Sequence, residues 1–187
     1  MKHYQITEWY HHFIREHVQE GDLCIDATAG NGNDTLLLCE LVGATGQVLA
    51  FDIQQAAVDK TKQRLDEAGL SERAKVLLES HINMENYTAK ESVSCVVFNF
   101  GYLPGGDHNL ATKKETSIEA IHTGLQLLKK GGMMSLCIYS GGDSGFEERD
   151  AILEALRALD AKQYLVIVSN YYNRPNNPPI PALIIKL

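Results

Sequence analysis

Short apolar runs alternate along the chain with longer segments of helical periodicity. The first periodic segment predicts a helix over residues 6–18 that packs on the edge of a sheet. Its apolar face holds Ile6, Trp9, Tyr10, Phe13, Ile14 and His17. Later runs predict strands over residues 22–27, 46–52, 74–79, 93–100, 132–140, 163–169 and 181–187. The segments between them predict helices over residues 33–42, 54–68, 115–130 and 145–160.

The order of these elements predicts an α/β fold. Strands that alternate with helices form a mostly parallel, doubly wound sheet, here of seven strands. The last two strands have no helix between them, so they should form an antiparallel hairpin. No repeat, low-complexity tract or linker marks a second domain. We therefore expect residues 1–187 to form a single Rossmann-like domain, with the N-terminal helix packed on it.

A glycine-bearing turn joins the first strand to the following helix. Gly30 and Gly32 allow the backbone to turn sharply and to approach a ligand closely. Asn33 or Asp34 can then cap the helix through a side-chain oxygen. At the end of the second strand, Asp52 provides a carboxylate that can accept both hydroxyls of a ribose. The two strand ends together predict a site for a nucleotide-like cofactor.

Residue types around the turn indicate which cofactor this is. Thr35 stands where a dinucleotide fingerprint has its third glycine. The polar residues Asn31, Asn33 and Asp34 suit a cationic ligand, and Asp26 adds a carboxylate that attracts an ammonium or a sulfonium. S-adenosylmethionine carries both charges and no phosphate. A sheet that is parallel except for one terminal hairpin also favours a methyltransferase over a dehydrogenase. A nicotinamide or flavin cofactor is the alternative, because two glycines alone are a weak signal.

Composition limits the remaining possibilities. With 187 residues, 44% of them hydrophobic, the chain can bury a core without metal or disulfides. Its four cysteines form no C-x-x-C pair and should be small buried hydrophobes in a reduced, soluble, cytoplasmic protein. No apolar run is long enough to span a membrane. The net charge of −7 excludes a broad basic face for nucleic acid. His11, His12 and His17 lack the Cys or carboxylate partners of a metal site, so no metal is expected.

Four segments carry a family resemblance. They are residues 26–35, Phe51-Asp52-Ile53-Gln54, residues 99–107 and residues 173–179. With them the chain resembles, nearly end to end, the small class I methyltransferases known as putative ribosomal RNA methylases. The resemblance implies a class I methyltransferase fold and S-adenosylmethionine as cofactor. Some members methylate the 5-aminomethyl group of 5-aminomethyl-2-thiouridine at the tRNA wobble position. One departure is Asn99-Phe100-Gly101-Tyr102, where amine methyltransferases of nucleic acids usually have Asp or Asn, two prolines and an aromatic residue.

The acceptor side of the site is predicted around the fourth strand. Asn99 can orient an amine nucleophile, and Tyr102 can stack on a flipped-out base. Alternatively, Asn99 caps the strand end and Tyr102 packs on Pro104. Residues 101–114 are long and glycine-rich enough to move as a lid.

Several other residues are expected to contact the ligands. On the cofactor side, Ser80 and His81 follow the third strand where the fold meets an adenine, and Gln54 is a ribose or adenine contact. His81 is otherwise a solvated loop histidine or a proton acceptor, and Gln54 a helix-start residue. The candidates for the substrate side are Leu103, Pro104, Tyr139, Arg174, Asn176 and Asn177. The loop over residues 170–181 is otherwise a plain surface hairpin.

RNA should be held through local contacts because the chain is acidic. The anticodon stem-loop of a tRNA is the expected partner, with Lys113, Lys114 and Arg174 at its phosphates. Lys129 and Lys130 are instead expected to stabilise a helix C-terminus. The N-terminal helix can equally serve a homodimer contact. Three function classes follow: a methyltransferase of the wobble uridine amine, a methyltransferase of ribosomal RNA or a small metabolite, and a binding module without chemistry.

Overall fold

The computed structural model describes residues 5–101, 114–140 and 145–187. Within these residues, helices and strands alternate as predicted. The α-helices are α1 Ile6–His17, α2 Asn33–Val42, α3 Gln55–Ala68, α4 Lys114–Leu127 and α5 Gly145–Arg157. The strands are β1 Leu23–Asp26, β2 Gln47–Asp52, β3 Ala74–Leu78, β4 Val93–Phe100, β5 Leu128–Ile138, β6 Tyr164–Val168 and β7 Ile180–Lys186. Short 3₁₀ helices span Ser71–Arg73 and His81–Asn86.

The seven strands form one sheet in the order β3-β2-β1-β4-β5-β7-β6. Neighbours from β3 to β5 are parallel, whereas β7 runs antiparallel to both β5 and β6. The predicted sheet with its antiparallel C-terminal hairpin is therefore confirmed. The chain leaves β1 toward β2 on one side and returns to β4 on the other, so the strand order reverses at β1. A crevice opens at such a reversal, at the carboxyl ends of the strands.

Helices cover both faces of the sheet. One face packs Phe51, Phe98 and Phe100 against α4 and α5, and the rings of Phe98 and Phe100 stack at 4.9 Å. The other face packs Cys24 and Cys95 against α1 and α2. All four cysteines are buried and free, which confirms their prediction as small hydrophobes. Burial raises the pKa of each thiol, so each stays protonated at neutral pH.

The periodicity of β4 directs one polar residue toward the helices. Side chains alternate between the two faces of a strand. Cys95 and Val97 belong to the face covered by α1 and α2, and Asn99 is the next residue in that series. Asn99 is half-buried, whereas the other seven residues of β4 are buried. The last polar position of this strand therefore lies under α1 and α2 and still borders the crevice.

Two predictions about the helices were wrong. Helix α1 packs on a face of the sheet, over the interior strands β5 and β7 rather than at the sheet edge, because Tyr10 and Ile14 are buried in the core on that face. Helix α4 ends at Leu127, because Leu128 is fully buried and pairs with Val93 on β4. Lys129 and Lys130, which were predicted to stabilise the C-terminus of this helix, therefore lie in β5, past the end of α4.

Lys129 has a partner outside the helix. Its ammonium lies 2.9 Å from a carboxylate oxygen of Asp22. The charge of this lysine is thus engaged by the loop before β1.

Candidate cofactor and acceptor site

The turn after β1 needs both of its glycines. Gly30 and Gly32 have φ angles of 53° and 75°. This left-handed region is one that residues other than glycine rarely adopt. A Cβ added at Gly32 would lie 3.0 Å from backbone and side-chain atoms of Thr61. The predicted cap of α2 was wrong: Gly32 is the N-cap residue and no side chain caps the helix. The oxygens of Asn33 and Asp34 are engaged elsewhere, by Arg64 and by the cluster described below.

Asp52 extends its carboxylate from the end of β2 to this turn. One oxygen accepts a hydrogen bond from the Gly30 amide and the other from the Gln54 amide, both at 2.9 Å. Each carboxylate oxygen has a further lone pair, so both can still accept from a diol. Gln54 is the N-cap residue of α3, so it does occupy a helix start. The ribose contacts of both residues remain predictions.

Asp26 is fully buried beneath the turn. Its carboxylate accepts from the Thr35 hydroxyl at 2.6 Å and from the Thr28 amide at 3.2 Å. Burial, with the nearby Asp34 carboxylate, raises the pKa of Asp26 to about 7. Thr35, which replaces the third glycine, therefore ties the start of α2 to the end of β1. Direct contact between Asp26 and a cofactor remains a prediction.

A polar cluster joins α1, α2 and β4 beside the crevice. Its centre is Asp34, whose carboxylate lies 2.5 Å from His11 Nε2 and accepts from Asn99 Nδ2 at 2.6 Å. The Tyr10 hydroxyl lies 3.3 and 3.4 Å from the two oxygens of Asp34 and 3.5 Å from Asn99 Oδ1. Asn99 is also held by its backbone amide, which donates to the Thr28 hydroxyl at 2.7 Å. We call Tyr10, His11, Asp34 and Asn99 the polar cluster.

The polar cluster was only half visible in the sequence. Asp34 and Asn99 were predicted site residues, assigned to the cofactor and to the acceptor, and the structure brings them together. Tyr10 and His11 were missed: one was predicted as part of an apolar helix face and the other was considered only as a metal ligand. Their signal was a hydroxyl and an imidazole next to each other on the first helix. Burial and Asp34 raise the pKa of Tyr10, so its hydroxyl remains a donor.

His81 begins the short 3₁₀ helix that follows β3 and is half-buried. Its ring packs edge-on against Phe98 at 6.0 Å. Burial lowers its pKa to about 4, so the ring is neutral at physiological pH. Nε2 is buried and has no hydrogen-bond partner among the described residues. The alternative of a solvated loop histidine was therefore wrong. The neighbouring Ser80 accepts from the Ile82 amide at 3.4 Å and caps the short 3₁₀ helix.

Some of the predicted substrate-binding residues lie at the carboxyl end of the parallel strands, where the crevice opens. Tyr139 follows β5, is 39% exposed and packs near Gly101, where an added Cβ would lie 3.1 Å from its own. Ile180 pairs with Ile138, so the loop before β7 lies at the carboxyl end of β5. This loop carries Arg174, Asn176 and Asn177, all exposed.

Other candidates lie outside this part of the site. Tyr102, Leu103, Pro104 and Lys113 are outside the described residues. Lys114 begins α4, with its ammonium 3.8 Å from Glu115 and 3.9 Å from Glu147.

Two further observations concern ligands and membranes. Among residues 5–101, 114–140 and 145–187, no group of three or more His, Cys, Asp or Glu is placed to hold a metal ion. No helix in that part of the chain is long and apolar enough to cross a membrane.

Comparisons with known proteins match this architecture. A family model described as putative rRNA methylase matches residues 48–185. The chain is 36% identical over 181 residues to the tRNA (mnm(5)s(2)U34)-methyltransferase, chloroplastic, of Arabidopsis thaliana. The alignment covers 92% of this chain and 66% of that enzyme.

Two crystal structures have the same fold over nearly their whole length. A putative rRNA methylase from Clostridium thermocellum has a TM-score of 0.94 at 42% identity, covering 97% of each chain. A putative methyltransferase from Streptococcus mutans, in complex with SAH, has a TM-score of 0.89 at 32% identity, covering 98% of each chain.

The fold, the glycine turn and these relatives define the class as the S-adenosylmethionine-dependent methyltransferases with a Rossmann-like fold. Within that class, the chain belongs to the putative rRNA methylase family. The sequence-based prediction of the family and of its cofactor is thus confirmed.

Proposed function

We propose that the protein methylates a tRNA at the amine of 5-aminomethyl-2-thiouridine in the wobble position. The product is 5-methylaminomethyl-2-thiouridine. The observation that carries the proposal is the position of Asn99, the half-buried penultimate residue of an otherwise buried β4, which Thr28 and Asp34 hold next to the crevice. The named activity of the Arabidopsis relative supports the same acceptor.

The residues around the turn fit the cofactor. Gly30 and Gly32 give the backbone the left-handed turn that leads from β1 into α2, Asp52 has free lone pairs for the ribose, and the buried Nε2 of His81 can pair with an adenine. We propose that Asn31, Asn33, Gln54 and Ser80 complete this side of the site. When bound, the cofactor supplies an electrophilic methyl group on a sulfonium.

Catalysis then depends on positioning the amine. An alkylamine is mostly protonated near neutral pH, so the substrate first loses a proton to solvent or a nearby acceptor. Asn99 accepts a hydrogen bond from the amine and directs its lone pair in line with the methyl group. The new N–C bond forms as the methyl–sulfur bond breaks, and the bonding electrons stay on sulfur. The product is a secondary ammonium, which stays mostly protonated near neutral pH, so the proton lost before attack is the one released overall.

The RNA is bound by a few local contacts. A chain with a net charge of −7 gains little from general attraction to phosphate. We propose that Arg174, Lys113 and Lys114 contact phosphates, while Asn176 and Asn177 contact the splayed anticodon loop. Tyr102, Leu103, Pro104 and Tyr139 would hold the wobble base by stacking and packing. In this proposal residues 1–187 act as one methyltransferase domain.

Ribosomal RNA is the second candidate substrate, because the matching family carries that description. The two candidates are separated by offering both RNAs to the purified protein with methyl-labelled S-adenosylmethionine. One pool is tRNA that carries the 5-aminomethyl precursor, and the other is unmodified ribosomal RNA. We expect label in the precursor tRNA and none in tRNA that lacks the 5-aminomethyl group. Label in ribosomal RNA alone contradicts the proposal.

A further inference from the structure

The Asp34 carboxylate is a buried acceptor surrounded by donors. Its side chain is 7% exposed. A carboxylate can only accept hydrogen bonds, so each neighbour must present a proton to it. Asn99 presents its Nδ2 at 2.6 Å, and His11 presents Nε2 at 2.5 Å. Asp34 therefore determines which end of the Asn99 amide faces it.

This constraint fixes the other end of the same amide. A reversed Asn99 would place its Oδ1 against an oxygen of Asp34 at 2.6 Å, two acceptors with no proton between them. The observed orientation leaves Oδ1 with one long contact among the described residues, to the Tyr10 hydroxyl at 3.5 Å. A carbonyl oxygen has two lone pairs, so Oδ1 retains capacity to accept from a substrate.

We propose that Asp34 is a positioning residue that acts through Asn99. It holds the amide so that Oδ1, and not the NH₂ group, is offered to the acceptor amine, and His11 keeps Asp34 in place from α1. This inference rests on the proposed function of Asn99 toward an amine. It also moves Asp34 from the predicted cofactor contacts to the acceptor side of the site.

The substitution Asp34→Asn tests this directly. The oxygen of the new amide can still accept from His11, which leaves its NH₂ group facing Asn99. Asn99 then turns its Oδ1 toward residue 34 and offers NH₂ to the amine. We expect kcat to fall by about 100-fold, the loss typical of a misplaced reactant. The Kd for S-adenosylmethionine should stay within about threefold of wild type.

An exchanged pair provides the rescue. Asn99→Asp alone places two carboxylates against each other at the 2.6 Å contact. Combined with Asp34→Asn, it restores one donor and one acceptor, and the second oxygen of residue 99 again faces the amine. We expect the double variant to recover at least about tenfold in kcat over either single variant, a coupling that independent sites do not show. If Asp34 had a purely structural role, the double variant would regain thermal stability without regaining kcat.

Glu148 offers a matched control. It is also a buried carboxylate, and it accepts from the Ser117 hydroxyl at 2.6 Å between α4 and α5. Glu148→Gln should leave kcat unchanged. Wild-type kcat in Asp34→Asn, a loss of cofactor affinity that parallels the loss of kcat, or no recovery in the double variant would each overturn the inference.

A measurement without RNA separates this inference from the proposed function. In ¹H–¹⁵N spectra, the Asn99 side-chain amide should exchange slowly in the wild type and quickly in Asp34→Asn. Equal exchange in the two proteins would overturn the positioning role. Failure of the wild type to methylate precursor tRNA would instead contradict the proposed substrate, whatever the amide exchange shows.

Discussion

Replacing Asp52 with alanine should weaken cofactor binding while the sheet stays folded. The carboxylate already accepts from the Gly30 and Gln54 amides at 2.9 Å, which aims it at the glycine turn. Two additional hydrogen bonds from ribose hydroxyls to a charged acceptor contribute about 2 kcal/mol or more in total. A loss of that size raises Kd by about 30-fold.

Isothermal titration calorimetry with S-adenosylmethionine measures this loss. Asp52→Asn should give an intermediate Kd, because its amide keeps one acceptor but loses the charge. Asp150→Ala is the control: its side chain is 66% exposed on α5, so the Kd should not change. An unchanged Kd in Asp52→Ala, or tight binding of NAD by the wild type, would refute the assignment of Asp52 to the ribose of S-adenosylmethionine.

Three further variants test other parts of the account. Asn99→Ala should lower kcat by about 100-fold and change cofactor affinity only a few-fold; equal losses in both, measured by single-turnover kinetics and calorimetry, would place Asn99 in the cofactor site. Thr35→Val removes the 2.6 Å hydrogen bond to buried Asp26 and should lower the free energy of unfolding by about 2 kcal/mol in urea titrations. The hydroxyl stabilises the charged carboxylate, whose pKa is about 7, so this loss should be larger at pH 8 than at pH 5; the reverse order would contradict it. Arg174→Ala should weaken binding of an anticodon stem-loop and reduce its salt dependence by about one counterion, with cofactor affinity unchanged. Filter binding at several salt concentrations measures both, and an unchanged RNA affinity and salt slope would contradict the phosphate contact.

The sequence predicted the parts of the site that follow from local rules. The glycine turn and Asp52 were identified because a strand, a turn and a helix start leave a readable pattern within a few residues. The position of Asn99 followed from its place at the end of a strand. In each case the element itself sets where the residue lies.

The contacts of the Asp34 side chain could not be predicted in the same way. Its local context suggested a helix cap, but its partners His11 and Asn99 lie 23 and 65 residues away. The His11 contact exists because α1 packs on the face of the sheet over β5 and β7, and the Asn99 contact because α2 packs on the same face. Likewise, the half-buried ring of His81 packs against Phe98, which lies on β4 and 17 residues further along the chain. Tertiary packing, not local pattern, determines both environments.

The central claim concerns one nitrogen atom, and one measurement addresses it most directly. A synthetic anticodon stem-loop with a single 5-aminomethyl-2-thiouridine at the wobble position is incubated with the protein and S-adenosylmethionine, digested, and analysed by nucleoside mass spectrometry. We predict conversion of that nucleoside to 5-methylaminomethyl-2-thiouridine, with no methyl group on any other nucleoside. If the 5-aminomethyl-2-thiouridine is recovered unchanged, or if a methyl group is found elsewhere in the stem-loop, the proposed activity is contradicted.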